Sequence, residues 1–228
     1  MTATAKHIIF DLDGTLVDSA AVLVEIVNEM LIERGSARRA SVEQARPFLS
    51  LGGLALVTGL LGAECGDPAA EVSEFRRRYS ARSTTADSLY EGVYDGLQEL
   101  ANSGFNLAIC SNKPQDLCEK VLHDLGLSTV FKAIVGSATG LRAKPEPDLM
   151  HLAIERLNAT PETCLLVGDS EVDQALAEAT GVRFLFVSYG YAGKDWDTGS
   201  LTRFDNFPDL VRAIKTQQAA PPGLRAVA

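Results

Sequence analysis

Two aspartates one residue apart, Asp11 and Asp13, close the run "HIIF" in the stretch "HIIFDLDGTLVDS" near the start of this chain. A third carboxylate, Asp18, follows after Gly14 and Thr15. Two other apolar runs end in the same way. "LAIC" leads into Ser111, Asn112 and Lys113, and "LLVG" leads into Asp169 and Ser170, with Glu171 and Asp173 just beyond. A fourth stretch, "AKPEP", presents Lys144 beside Pro145 and Pro147, whose fixed φ angles stiffen the loop around it. Gathered in one crevice, several carboxylates cannot all stay ionised without a cation. An oxygen-only ligand set with no histidine or cysteine suits Mg²⁺, which binds through one or two carboxylates and a substrate phosphate. With the metal in place the crevice accepts a dianion, and a carboxylate is an established covalent nucleophile for phosphoryl transfer. Such a transition state needs positioning and charge neutralisation, which the Lys144 ammonium and the Ser111 hydroxyl can supply.

The elements that must position these groups are legible in the apolar pattern. The runs at 7–10, 105–110, 131–135, 164–168 and 182–187 lack period-2 alternation, as strands buried on both faces do. Helical patterns at 93–104, 114–126, 147–158 and 171–181 separate the later runs, with Pro114 and Gly126 as start and stop signals. Strand alternating with helix predicts an α/β fold, a parallel sheet covered by helices on both faces. Ligands of such sheets bind beyond the carboxyl ends of the strands, where the polar residues stand. Residues 16–90 differ. They hold a helical stripe at 22, 23, 26, 27, 30 and 31, a capping box from Ser41 to Gln44, and an N-cap at Asp67 before Pro68, with no clear strand. They predict a helical subdomain inserted after the first strand. The expected division is a catalytic core over 1–16 and 91–216, a helical cap over 17–90, and a loose Ala/Pro-rich tail over 217–228.

Composition narrows the possibilities. The chain has 228 residues, 46% of them hydrophobic, and a formal net charge of −9. Its acidity disfavours nucleic acid and anionic membranes as partners. No apolar run approaches the roughly 18 residues of a membrane helix. "MTATAKH" leads directly into the first strand with no secretory signal, so a cytoplasmic location is expected. Cys65, Cys110, Cys118 and Cys164 form no CxxC and read as reduced thiols. The expected partner is a small phosphorylated metabolite, with the protein a monomer or homodimer.

The stretches "DLDGTLVDS", "SNKP", "KPEP" and "GDSEVD" stand in the order and spacing of the haloacid dehalogenase-like hydrolase superfamily, which this chain resembles from about residue 6 to 215. The resemblance implies a Rossmann-like sheet with a mobile helical cap. It further implies that Asp11 is the nucleophile that becomes an aspartyl phosphate. Asp13 is implied to protonate the leaving alcohol and then activate water, with its backbone carbonyl on Mg²⁺. Asp169 is implied to ligate the metal, and Asp173 to bind it through water or to orient Lys144. Ser111, Asn112 and Lys144 are the implied phosphate-binding groups. Glu171 is an acid added to the fourth motif, read as an exposed group at a helix start.

Within that superfamily Asp13 favours phosphoryl transfer, because dehalogenation has no leaving alcohol to protonate. Residues 16–90 contain no lysine, which removes the Schiff base that phosphonate hydrolysis would need. A phosphatase resembling the phosphoglycolate phosphatase branch is therefore expected, with a sugar-phosphate mutase and a non-catalytic phosphate-binding regulator as the alternatives. The segment "ARPFLSLGG" resembles that branch's specificity loop and makes Arg46 a candidate for an acidic substrate group. Asp18 reads as structural. Lys113 reads as a surface charge at a helix entry, and the run "RRR" at 76–78 as a solvated helix face. His7, His123 and His151 are scattered and are not read as ligands.

Overall fold

The structure is a computed structural model and describes residues 5–193 and 196–219. Strand β1 (His7–Phe10) is followed by four helices of the insertion: α1 (Ala20–Glu33), α2 (Val42–Ala45), α3 (Gly53–Leu61) and α4 (Pro68–Ser80). Then come α5 (Val93–Asn102), β2 (Asn106–Pro114), α6 (Gln115–Asp124), β3 (Phe131–Ser137), α7 (Asp148–Arg156), β4 (Cys164–Gly168), α8 (Glu171–Thr180), β5 (Arg183–Val187), β6 (Arg203–Phe204) and α9 (Phe207–Ala219). The six strands form one sheet in the order β3-β2-β1-β4-β5-β6, and every neighbouring pair is parallel. The α/β architecture read from the sequence is the observed one.

Strand β1 lies at the centre, with Phe10 level with Ile109 of β2 on one side and Val167 of β4 on the other. Successive side chains of a strand point to opposite faces, so one short apolar run feeds two cores. Ile8 and Phe10 face a layer built from α5, α6 and α9, where Phe10 meets Phe207 at a centroid distance of 6.0 Å. Ile9 faces the other layer, with Leu149 and Met150 of α7 and Leu176 of α8. The strand order turns around at β1, which places the ends of β1, β2 and β4 side by side at one edge.

Two strands differ from expectation. β2 does not stop at Cys110; it continues through Ser111, Asn112 and Lys113 to Pro114, with a register irregularity against β3 between Cys110 and Pro114. β6 spans two residues, too few to leave a periodic signal. At the other end of the chain α9 continues to Ala219, into the stretch expected to be a loose tail; residues 220–228 of that expectation lie outside the described residues.

The four helices after β1 pack on one another through an apolar face that includes Ile26, Val27, Met30, Leu56, Val57, Leu60, Val72 and Phe75. Their starts follow the local chemistry. Ser41 accepts from the Gln44 amide while Gln44 accepts from the Ser41 amide, and Asp67 caps α4 by accepting from the Ala70 amide at 3.0 Å. The chain enters and leaves this helical insertion through one paired neck. Val17 bridges Leu89, the Asp18 amide donates to the Ser88 carbonyl at 2.8 Å, and the Tyr90 amide donates to the Leu16 carbonyl at 3.1 Å.

Candidate active site

Asp11 follows the last residue of β1, and its backbone amide still donates to the Val167 carbonyl, so its position is set by the sheet itself. One carboxylate oxygen, Oδ1, accepts from the Leu12 amide at 2.7 Å and lies 3.0 Å from Lys144 Nζ. Lys144 also donates to Asp173 Oδ1 at 2.7 Å, so one buried ammonium bridges two buried carboxylates. Asp169 completes the cluster. An oxygen from each of Asp11, Asp169 and Asp173 lies within 4.8 Å of the others.

Asp169 is fixed from both sides. Its Oδ1 accepts from the Thr15 hydroxyl at 3.1 Å and its Oδ2 from the Tyr191 amide at 2.6 Å. Gly14 turns beneath it with φ +87°, and a Cβ there would lie 2.3 Å from Asp169 Oδ2. A side chain is therefore excluded at position 14 by the backbone conformation and by the carboxylate together. Asp173, in the first turn of α8, has both oxygens engaged, one by Lys144 and the other by the Ser170 hydroxyl at 2.7 Å.

Three carboxylates here face a single ammonium. Burial pushes Asp11 up to about 6, against the pull of Lys144 and with a further push from Asp173. Burial also raises Asp169 well above the ordinary carboxylate range, with Asp173 and Asp11 adding to it. For Lys144 burial works against the charge, but Asp11 and Asp173 outweigh it and raise the ammonium above its ordinary value. The cluster has more negative charge than its one cation neutralises. That deficit and the oxygen-only donors fit a hard divalent cation.

The other expected residues divide into two groups. Ser111 is buried on the extended part of β2 and stabilises the ionised form of Asp11 through a side-chain hydrogen bond. Asp13 lies at the wall of a cavity that also contains Asp11 and Ser111. Asn112 lines this cavity, but its amide is already committed. It donates to the Lys144 carbonyl at 3.1 Å and the Ser50 carbonyl at 3.2 Å, and accepts from the Lys144 amide at 2.7 Å. Its geometry is that of a clip holding the lysine loop and the helical insertion, where the sequence reading had it binding substrate. Arg46 does not line the cavity; its Nη1 donates to the Gly190 carbonyl at 3.1 Å, tying the insertion to the loop after β5. Asp18 accepts from the Tyr191 hydroxyl at 3.0 Å and the Ala20 amide at 3.2 Å, which pins the start of α1. Glu171 is exposed in the first turn of α8, as read from the sequence.

Lys113 is the residue that sequence reasoning missed. It is 8% exposed, and its Nζ donates to both oxygens of Asp13 at 3.0 and 3.1 Å. The same ammonium lies 4.2 Å from the ring centroid of Tyr79 on α4. Burial opposes its charge, but Asp13 more than compensates and holds Lys113 above its ordinary value. The available signal was its place one residue before Pro114 at the end of β2, the edge where ligands bind in such sheets.

A carboxylate held against a lysine at the end of a central parallel strand, with two more buried aspartates within reach of one cation and a second acid beside the cavity, is suited to chemistry on a small phosphate ester. Residues 8–187 match the family model described as haloacid dehalogenase-like hydrolase, and the chain belongs to that family. It is 36% identical over 216 residues to a phosphoglycolate phosphatase of Cereibacter sphaeroides, covering 91% of this chain and 98% of the relative. A phosphoglycolate phosphatase of Xanthomonas campestris is 35% identical over 193 residues, covering 84% and 87% respectively. The solved structure of a predicted phosphoglycolate phosphatase from Haemophilus somnus superposes with a TM-score of 0.80 at 24% identity, covering 93% of this chain and 99% of that one, and it shares the fold.

The crowding around Asp169 makes a test of the site's rigidity. A Cβ on Gly190 would lie 2.3 Å from the Gly14 carbonyl and 2.4 Å from Asp169 Oδ2. Gly190→Ala is expected to displace Asp169 and slow phosphate release by about 10²-fold, as misplacement by an ångström can. Overpacking should lower stability by about 1–3 kcal/mol without unfolding the protein. Phosphate-release kinetics together with a thermal melt check both effects; an unchanged rate would show that the loop yields and Asp169 does not.

Proposed function

We propose that this protein hydrolyses a small organic phosphate monoester through an aspartyl phosphate on Asp11, with Mg²⁺ as the cation. The reading is carried by the contact of Asp11 with Lys144 at 3.0 Å within a buried group of three carboxylates. Asp11 and Asp169, with the backbone carbonyl of Asp13, would hold the ion. When bound, Mg²⁺ supplies the positive charge that lets an anionic carboxylate approach an anionic phosphate. Lys144 and the Ser111 hydroxyl hold phosphoryl oxygens. Asp11 forms the bond to phosphorus as the bond to the leaving oxygen breaks, and Asp13 gives that oxygen its proton. Asp13 then takes a proton from water as the water attacks phosphorus, which releases inorganic phosphate and restores Asp11. Lys113 holds the Asp13 side chain at the cavity wall. Asp173 serves the reaction through Lys144.

The segment 17–90 acts as a mobile cap over a core formed by 1–16 and 91–216, and its inner face selects the ester. Phosphoglycolate, the substrate in the names of the relatives, is the first ester to try. The protein works on a phosphorylated metabolite in the cytoplasm as a monomer or homodimer; no helix among the described residues is long and apolar enough to cross a membrane. A phosphate-release screen over phosphoglycolate, sugar phosphates and nucleotides tests the reading. Release should stop on EDTA treatment and return with added Mg²⁺. The Asp13→Asn variant should slow both steps, and trapping of phosphoenzyme by it would mark Asp13 as the base of the second. Interconversion of hexose 1- and 6-phosphates without net release would identify a mutase instead.

A further inference from the structure

Helix α4 carries three consecutive arginines with different surroundings. Arg77 places Nε and Nη2 on Glu74, each at 2.7 Å. Arg78 reaches Glu74 at 2.7 Å and Glu33 at 2.8 Å. Arg76 has no carboxylate partner among the described residues, and it lines the cavity onto which Asp11, Asp13 and Ser111 open. Two members of the run are therefore neutralised by carboxylates, while the third, itself exposed, brings to the cavity a charge with no carboxylate partner among the described residues.

The rest of the cavity restricts what that charge can meet. Its apolar wall is formed by Leu23, Leu49, Leu56, Phe75 and Leu117. Lys113, the other cation on the wall, is taken by both oxygens of Asp13. The Asn112 amide is spent on Ser50 and Lys144. A short body with an anionic end matches an apolar wall that carries one cation without a carboxylate partner among the described residues.

We propose that Arg76 is the specificity-determining residue of this enzyme, pairing with a carboxylate on a short leaving group while the phosphate is held by Lys144 and Ser111. This rests on the phosphatase reading above. A planar guanidinium matches a carboxylate through two parallel hydrogen bonds, which an ammonium cannot reproduce. The pairing would hold the ester with its phosphorus toward Asp11 and its carbon end toward α4.

The test compares phosphoglycolate with glycerol 3-phosphate, a small ester whose alcohol carries no charge. Arg76→Met should lower kcat/KM for phosphoglycolate by about 10- to 100-fold, the usual worth of a hydrogen bond to a charged group. Most of the change should fall in KM. Hydrolysis of glycerol 3-phosphate should stay within about twofold of wild type, the scatter of a surface substitution. Arg76→Lys should recover part of the loss for phosphoglycolate only. Equal slowing of both esters by Arg76→Met, or no slowing of either, overturns the role of Arg76 and leaves the phosphatase reading intact. Absence of phosphate release from every ester by the wild-type protein overturns both.

Discussion

Replacing Asp11 with asparagine should abolish phosphate release and, at pH 7 in EDTA, raise the melting temperature. The first effect follows from losing the nucleophile. An amide of the same shape forms no stable acyl phosphate under these conditions, and removal of a covalent nucleophile costs on the order of 10⁴-fold or more. The second effect follows from the charge deficit at the site. Asp11 in the folded protein has its pKa raised to about 6, above the ordinary value of 3.8. Between those two values the folded state binds more protons than the unfolded one. Stability therefore falls as pH rises through that interval and stays lower above it. Asparagine carries no charge, so it escapes this loss. The shift corresponds to up to about 3 kcal/mol in the metal-free protein at pH 7. Below the unfolded pKa both proteins carry a neutral group, and the gain should vanish near pH 4. Thermal melts at pH 4 and pH 7 distinguish this from a general packing effect, which would be the same at both. A variant that still turned over at the wild-type rate would remove Asp11 from the reaction.

Lys144→Met should have the opposite effect on stability. The methionine fills the volume but leaves Asp11 and Asp173 buried without their shared cation. Breaking a buried pair by removing one partner costs about 3–5 kcal/mol, because an uncompensated charge stays behind. For a chain of this length that corresponds to a fall in Tm of roughly 10 °C. Turnover should fall by about 10²- to 10³-fold, the loss seen when one charge-stabilising donor is removed from a transition state. A second substitution makes the cause visible. The double variant Asp11→Asn/Lys144→Met should be more stable than Lys144→Met alone, since one of the stranded charges is gone. A gain from Asp11→Asn no larger in the Lys144→Met background than in the wild-type background would show that Lys144 contributes through packing and not through charge.

The parts of this site that could be read from the sequence are those fixed by the sheet. Asp11 and Asp169 end unbroken apolar runs, and such runs define parallel strands whose ends converge. Lys144 was legible because two prolines follow it closely and stiffen its loop. What stayed hidden depends on contacts between distant segments. Lys113 looks like a surface charge in "SNKP" because nothing nearby in sequence shows that β2 continues past it or that Tyr79 folds over it. Asn112 sits in the right place, but its role depends on the Ser50 carbonyl, which only the folded insertion brings within reach. The run at 76–78 is uniform as a string. Only the rotation of α4 separates Arg76 from Arg77 and Arg78. Arg46 illustrates the reverse: a promising local sequence whose guanidinium is used by the Gly190 carbonyl.

The neck through which the helical insertion joins the sheet has a further consequence. Its two crossings are hydrogen-bonded to each other at Val17 and Leu89, so the insertion begins and ends at nearly the same point in space. From the sheet's side, more than 60 residues therefore occupy the attachment of a single surface loop, and loop length costs little once the ends are joined. In the reading proposed here the reacting groups Asp11, Lys144 and Asp169 belong to the sheet and its loops, whereas Arg76, the proposed selector, belongs to the insertion. Changes in what the enzyme recognises can thus accumulate on one side of the neck without disturbing the strands that carry out its chemistry. The two crossings act as a socket, and selectivity is the part that plugs in.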